Sequence, residues 1–415
     1  MAQVTTSIIT IGDELLIGQT IDTNSAWMAQ QLNAMGIWVH RRVAIGDVKE
    51  DILEALEKEA AVSDIVLITG GLGPTADDIT KPVLCEYFHT RLVQHEATLH
   101  RVMHLFESRG LPVLQRNVDQ ALVPESCTVI ENTRGTAPGM WFEKDGKIYV
   151  SMPGVPHEMQ GIMETYVLPQ LAAHFSTPAV IHQTLLTAGM GESFIAERLV
   201  GFEAKLPSHI KLAYLPSYSL LKLRLTAFGD DKLATAAELS ILFHELKELL
   251  ADIVVADQDM PIAQVIGQLL LERGKTVGTA ESCTGGQIAS WITAIPGSSA
   301  YFKGSAITYA NEMKVKLLGV KPATLEAEGA VSEAIVKEMH AGALELLETD
   351  YAIAVSGIMG PDGGTAEKPV GTVWIAVGDA TNVVTVKHQL RYDRERNIQM
   401  TAVYAMNALR KLILQ

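Results

Sequence analysis

Residues 279–286 read TAESCTGG. They follow a strand-like apolar run around residues 276–278 and open a segment, residues 287–295, with helical spacing, so the stretch reads as the turn of a βα unit. Small polar side chains, a thiol and paired glycines at such a handover place hydroxyls and bare backbone N–H groups at the positive end of a helix dipole. That is a setting for chemistry on an electron-rich group. Ser282 and Cys283 are candidate nucleophiles, with Thr284 a weaker third. A hydroxyl needs a neighbouring base, whereas a thiol needs only a depressed pKa. Residue chemistry therefore leaves the choice open, beside a plainer reading in which Ser282 or Thr284 caps the helix and Cys283 packs as a small apolar side chain.

The chain has 415 residues, room for two to four domains with cores that need no staples. Three cysteines, Cys85, Cys127 and Cys283, are widely separated and odd in number, which argues against a disulfide framework or a cysteine-rich zinc site. The N-terminal residues lack a basic region and soon meet Asp13 and Glu14, and no apolar run reaches the ~18 residues of a membrane span. The expectation is a cytoplasmic protein with no membrane partner. A formal net charge of −15 disfavours non-specific attraction to nucleic acid. A phosphate-bearing ligand would have to be held locally, by a few residues.

Going back to the beginning, residues 4–11 form an apolar run ending in Gly12-Asp13-Glu14, a buried strand entering a loop. Thr23-Asn24-Ser25 offers caps for an amphipathic run over residues 26–35, closed by Gly36, and residues 37–45 return as a strand. A helix over residues 49–61 precedes a second buried strand, residues 64–69. This alternation predicts a parallel doubly wound sheet with ligands beyond the carboxyl ends of the strands. Gly12-Asp13-Glu14 and the loop GGLGPTADDIT, residues 70–80, both fall there. Gly70, Gly71 and Gly73 permit N–H groups to converge on an anion, and Asp77 and Asp78 beside them suit a divalent cation. The alternative is a strand-to-helix turn capped by one aspartate. Asp22, Asn24, Asp13 and Glu14 add carboxylates and an amide at the same edge. Further on, a hairpin over residues 143–148 turns at Asp145-Gly146, and a strand over residues 149–152 leads to PGVPHEM, where His157 and Glu158 are candidate ligands or helix-start residues.

Residues 178–256 read as a compact α+β module whose glycine loop, residues 189–193, is similar to the GXXG loop of KH-type RNA binders. Basic residues are sparse there and no aromatic platform is evident, which favours a spacer or interface. A third, layered α/β domain begins near residue 258. Its helix over residues 337–347 reads as core, and a preceding helix start is capped by Ser332. Its last helix opens Tyr392-Asp393-Arg394-Glu395-Arg396, two arginines in a first turn where positive charge opposes the dipole. Such a violation marks a candidate phosphate clamp, or two solvated arginines.

Taken together, GDELLIGQTIDTNS, TGGLGPTADDIT, GTAPG, PGVPHEM, AESCTGG, SAITYANEMK, GIMGPDGG and KPVGTV resemble the full-length bacterial competence/damage-inducible CinA family over essentially the whole chain. The resemblance implies a molybdopterin-binding-like domain over residues 1–174, a KH-like module over residues 178–256 and a nicotinamide mononucleotide (NMN) deamidase domain over residues 258–415. It implies metal-dependent ADP-ribose pyrophosphatase activity for the first domain, with Glu14, Asp77 and Asp78 holding the metal and Gly70, Gly71, Gly73 and Asn24 meeting the substrate. For the third domain it implies Ser282 as the catalytic hydroxyl, supported by Tyr309 and Lys314. Cys283, Thr284, Gly285, Gly286, Ser356 and Arg396 would line the substrate, Arg396 at the phosphate, with no cofactor. Ser356 stands where relatives often have threonine, which keeps a hydroxyl. A homodimer is the expected assembly. A molybdopterin-binding protein and a DNA-uptake partner are the competing readings.

Overall fold

The computed structural model describes residues 3–75 and 77–415. They form two compact units: residues up to 181 with residues 227–236, and residues 182–226 with residues 237–415. Among the described residues no helix is long and apolar enough to cross a membrane.

The first unit is built on six strands in the order Trp38–Ile45, Thr5–Ile11, Ile65–Thr69, Lys147–Met152, Gly139–Lys144 and Thr128–Ile130. The first four run parallel, Gly139–Lys144 runs against them, and Thr128–Ile130 pairs antiparallel to that strand, so the sheet is mixed rather than wholly parallel. Its reversal lies at Asp145 (φ 53°) and Gly146 (φ 74°), a two-residue turn of the left-handed kind that suits a hairpin's twist. The hairpin's second arm continues unbroken to Met152. Residues 147–152 are thus one strand, where the sequence suggested a hairpin arm followed by a separate strand.

Both faces of this sheet are buried, which explains the near-continuous apolar runs. Ile8, Leu67, Val150 and Met152 pack against Met28, Leu32, Met159 and Ile162 on one side. Ile9, Ile11, Val66 and Ile68 pack against Ile52, Leu56, Val83 and Leu84 on the other. The helix Thr23–Ala34 is capped by Asp22, whose carboxylate accepts the Ser25 N–H at 2.9 Å. The cap falls just before the Thr23-Asn24-Ser25 group expected to supply it, so Asn24 lies in the first turn, at the sheet edge.

The middle module orders four strands as Ile210–Ser217, Leu220–Gly229, Ala179–Ala188 and Val254–Ala256, with helices Glu192–Glu203 and Lys232–Leu249. The C-terminal sheet runs Phe302–Ile307, Val277–Glu281, Tyr351–Gly357, Thr372–Gly378 and Val383–Gln389; the first three are parallel, and the two remaining pairings, at Thr372–Gly378 and then at Val383–Gln389, are antiparallel. Its two faces differ in side-chain size. Val277, Ile353, Val355, Val373, Ile375 and Val377 meet the helices Ile262–Glu272, Gln287–Thr293 and Arg394–Ile413. Ala280, Ala306, Ala352, Ala354 and Ala376 face the helix Glu333–Leu347 through Ile335, Val336, Met339 and Ala343. That helix is core, as its amphipathic pattern suggests, and Ser332 caps it by accepting the Ile335 N–H.

Gly70 ends the central strand of the first unit at φ 115°, and a Cβ there would lie 2.1 Å from the Ile11 carbonyl oxygen. The backbones of two loop entries meet at that point, leaving no room for a side chain. Gly70→Ala is expected to destabilise the chain by about 2–3 kcal/mol through strain and displacement, read as a lowered denaturation midpoint at unchanged m-value.

Candidate active sites

In the C-terminal sheet the three parallel strands end together, with Ile307 and Val355 flanking Glu281 in register. The residues beyond this register therefore share one edge: Thr308 and Tyr309, then Ser282, then Ser356, which is still in its strand. Ser282 is buried, and its N–H donates to the Val355 carbonyl at 3.1 Å. Its hydroxyl has no hydrogen-bond partner among the described residues. Lys314, in the helix Asn311–Leu318, is 1% exposed and donates to the carbonyls of Thr308 (2.8 Å) and Tyr309 (3.2 Å). Burial holds its amine below the ordinary lysine range, and it lies close enough to Cys283 for each to feel the other's charge. The Cys283 thiol is pushed up to about 12 by burial, so at neutral pH it keeps its proton. Between the two candidate nucleophiles, that leaves the hydroxyl.

The dominant feature of the turn is a residue absent from the sequence reading, Glu281. Its side chain is fully buried and accepts from the Thr284 hydroxyl (2.6 Å) and from the N–H groups of Gly286 (3.1 Å), Ile288 (3.1 Å) and Ala289 (2.9 Å). This carboxylate, rather than Ser282 or Thr284, caps the helix Gln287–Thr293, and it leaves Ser282 free. It also corrects the expectation that Gly285 and Gly286 offer N–H groups to an oxyanion. The Gly286 N–H belongs to Glu281 and the Gly285 N–H to the Ser282 carbonyl at 3.2 Å. Their φ angles of 61° and 100° give the glycines a different task, passing the chain through the left-handed region so that it folds back over the carboxylate. The signal was present as an acid five to eight residues ahead of the N–H groups it meets, a spacing outside the usual capping box. Thr284 is committed to Glu281, and the Ser356 hydroxyl donates to the Ala330 carbonyl at 2.7 Å.

The two arginines of the last helix part company. Arg394 donates to the Gly360 carbonyl and to the Tyr309 hydroxyl, both at 2.9 Å, tying the exposed Tyr309 ring to the loop after Gly357. Asn397, fully buried, holds the same loop through the Met359 carbonyl at 3.1 Å. Arg396 instead lies over the Tyr392 ring, 4.2 Å from its centroid, and lines a separate cavity whose walls include none of Ser282, Tyr309 and Lys314. The arginine at the rim of the serine edge is therefore Arg394, not the Arg396 that the sequence reading placed at the phosphate. One turn of helix start sends the two side chains to different faces.

The first unit repeats the pattern at its own sheet. Thr10, Thr69 and Met152 are in register at the ends of three parallel strands, and a cavity of about 390 Å³ opens beyond them. Its lining includes Glu14, Asp47, Gly70, Gly71, Gly73, Asp77, Asp78 and Glu158. The loop residues expected to converge do meet here, but their assignments shift. Asp78 accepts from the Gly73 N–H (2.7 Å), the Thr75 N–H (2.8 Å) and the Thr75 hydroxyl (2.5 Å), so it braces the loop. The Gly70 N–H binds the Met152 carbonyl at 3.1 Å, and of the three glycine N–H groups Gly71 alone has no partner among the described residues. Asp47, not singled out from the sequence, accepts the Asp13 N–H on its carboxylate at 3.2 Å and donates its own N–H to the Asp13 carboxylate at 3.3 Å. Its carboxyl is raised by burial and by the like charges of Asp13, Glu14 and Asp77. The Gly46-Asp47 pair that follows a strand repeats Gly12-Asp13, which is the sequence signal for it. Among the described residues no three His, Cys, Asp or Glu side chains form a ready-made metal cluster. Asn24 is buried beside Glu14 and donates to the Gly154 carbonyl at 2.7 Å, leaving its Oδ1 without a donor.

These elements define a three-part α/β protein whose two larger sheets each gather their candidate residues at one edge. Residues 7–173 match a probable molybdopterin binding domain, residues 182–256 the damage-inducible protein CinA KH domain and residues 259–413 the CinA C-terminal domain. A CinA-like protein of Cytophaga hutchinsonii is 45% identical over 404 residues, 97% of either chain, and one of Flavobacterium psychrophilum is 44% identical over 411 residues, 99% of this chain and 98% of its own. The crystal structure of competence/damage inducible protein CihA from Agrobacterium tumefaciens is 39% identical and covers 37% of this chain and 94% of its own, with a TM-score of 0.36. The chain belongs to the CinA-like family.

Glu281→Gln keeps the shape but puts an amide N–H₂ among donors, so at least one buried donor loses its acceptor and the helix loses its charge-assisted cap. A loss of about 2–4 kcal/mol is expected, measured by chemical denaturation with near-ultraviolet circular dichroism reporting on the C-terminal core.

Proposed function

We propose that the C-terminal domain hydrolyses the carboxamide of NMN, giving nicotinate mononucleotide and ammonia. The observation that carries the reading is the unpartnered Ser282 hydroxyl on the same sheet edge as the buried, deprotonation-prone Lys314. Neutral Lys314 takes the Ser282 proton as Oγ attacks the carboxamide carbon. The tetrahedral intermediate then collapses, the amine leaving as ammonia with the proton Lys314 returns, and water hydrolyses the serine ester. A bound pyridinium cation pushes Lys314 further toward its neutral form. In this reading Tyr309, fixed by Arg394, closes one side of the site, and Arg394 meets the substrate's phosphate.

The acidic cavity of the first unit supports a second activity, hydrolysis of the ADP-ribose pyrophosphate. The carboxylates of its lining suit a hard divalent cation by their chemistry, since burial and then the like charges around Asp47 raise its carboxyl and a cation would relieve that repulsion. Glu14, Asp47 and Asp77 would hold that ion, which when bound polarises phosphoryl oxygens and activates water. The chain's own part is to present the Gly71 N–H and Asn24 to the substrate and to keep the loop rigid through Asp78.

Ser282→Ala is expected to lower NMN turnover at least ~100-fold, measured as ammonia release; an inert wild-type chain would overturn the assignment. Because the base must be neutral, the wild-type rate should rise with pH and level off above the lowered Lys314 pKa. Lys314→Arg, which cannot deprotonate, should stay at least ~100-fold down at every pH. In the first unit, Asp77→Asn should raise the Mg²⁺ concentration needed for half-maximal ADP-ribose hydrolysis by roughly 10-fold. Asp78→Asn should instead lower the melting temperature, and equal metal dependence in both variants would contradict their different assignments.

A further inference from the structure

Within the unit of residues 182–226 and 237–415, a cavity of about 580 Å³ separates the glycine loop at residues 189–191 from one face of the last helix. Arg396, Met400, Tyr404, Asn407 and Lys411 form the helix's stripe of three- and four-residue steps, and no Asp or Glu lines the cavity. In a chain of net charge −15 that is a local reversal of sign. Neither Arg396 nor Lys411 makes a salt bridge among the described residues. Asp252, whose carboxyl feels the Lys411 charge, is itself paired with Arg198 at 2.8 Å.

Two polar groups on the wall lack partners. Asn407 is 7% exposed; its Oδ1 accepts from Arg410 Nε at 3.0 Å, and its amide nitrogen has no acceptor among the described residues. That leaves a donor on the cavity wall for a ligand to meet. The His388 imidazole likewise has no hydrogen bond, and burial holds it below its ordinary pKa, hence neutral. Its ring stacks on Tyr404 with centroids 4.2 Å apart and planes 6° apart. The Tyr404 hydroxyl accepts from Ser219 at 2.9 Å, which pins this stack to the hairpin turn of the middle module.

The order along the helix is that of a nucleotide. Tyr404 and Lys411 are seven residues apart, about 10 Å along the axis, with Asn407 between them. The Lys411 ammonium lies 4.0 Å from the point where a Cβ on Gly189 would sit, which brings the charge up to that loop. The loop leads into the 12-residue helix Glu192–Glu203, whose start at Gly191 has no side-chain cap. The volume lies in the ~300–1,000 Å³ range of small-ligand sites.

We propose that this cavity is a second nucleotide site, separate from the serine edge, that binds a nucleoside 5′-monophosphate. The phosphate lies between Lys411 and the glycine loop, the Asn407 amide donates to the ribose, and the base packs on the His388–Tyr404 stack. The middle module then serves as one wall of a small-molecule site, for which its paucity of basic residues is no obstacle.

The test is calorimetric titration of the full-length chain with AMP at ~0.15 M salt, where dissociation constants of roughly 10–500 μM are expected. Lys411→Glu, a change at an exposed position, should weaken this binding at least 10-fold, while Lys303→Glu and Asp77→Asn should retain it. No binding up to ~1 mM AMP, or equal binding by Lys411→Glu and wild type, overturns the proposal. Loss in Asp77→Asn alone assigns the AMP to the first unit and also overturns it. So does inorganic phosphate binding as tightly as AMP, which would remove the base from recognition, or a single-stranded oligonucleotide that displaces AMP through Lys411 at lower concentration.

Discussion

A single buried carboxylate organises the C-terminal domain. Glu281 ends the strand Val277–Glu281, and its four close partners are the Thr284 hydroxyl and three backbone N–H groups at the start of the next helix. Hydrogen bonds to a charged acceptor are each worth ~1.5–3 kcal/mol, more than neutral ones, and burial leaves the group no solvent to fall back on. The helix Gln287–Thr293 is only seven residues long, too short to hold its direction by propensity alone. Its orientation comes from the acid beneath it. Because Glu281 takes the donors, the next residue, Ser282, is left with an uncommitted hydroxyl at the sheet edge.

The first unit uses a related device on a loop. Asp78 draws Gly73 and Thr75 onto itself, so the segment after Gly70 is shaped by a side chain that the ligand need not touch. In both domains one acid of a motif builds the frame and its neighbours face outward. Adjacent residues in a motif therefore divide into those that hold and those that act.

This division decided what was legible beforehand. Buried strands, the Ser332 cap and the amphipathic core helix follow from local patterns, and motif resemblance identified the domains and brought Ser282, Lys314 and the glycine loop to notice. Glu281 was not legible because a capping acid is sought three residues from its helix start, and this one reaches its donors through a left-handed turn at Gly285 and Gly286. Arg394 and Arg396 were indistinguishable in sequence, both lying in one charged first turn; only the helix's rotation sets them on different faces. Asp47 became visible when the strand Trp38–Ile45 was found beside Thr5–Ile11, which places two Gly-Asp pairs side by side. The mixed character of the first sheet was hidden because period-two patterns carry no direction.

The unequal faces of the C-terminal sheet have a mechanical meaning. Five alanines let the helix Glu333–Leu347 lie close to the sheet, and Gly342 lets it lie close to the end of the helix Asn311–Leu318, since a Cβ there would fall 2.0 Å from the Leu318 carbonyl oxygen. Just before that helix is Ala330, whose carbonyl receives the Ser356 hydroxyl. The alanine layer is thus a spacer whose thickness sets the height of one wall of the serine edge. Drift toward larger residues on that face would act as a shim, lifting Ala330 and releasing Ser356 without altering any residue of the site itself.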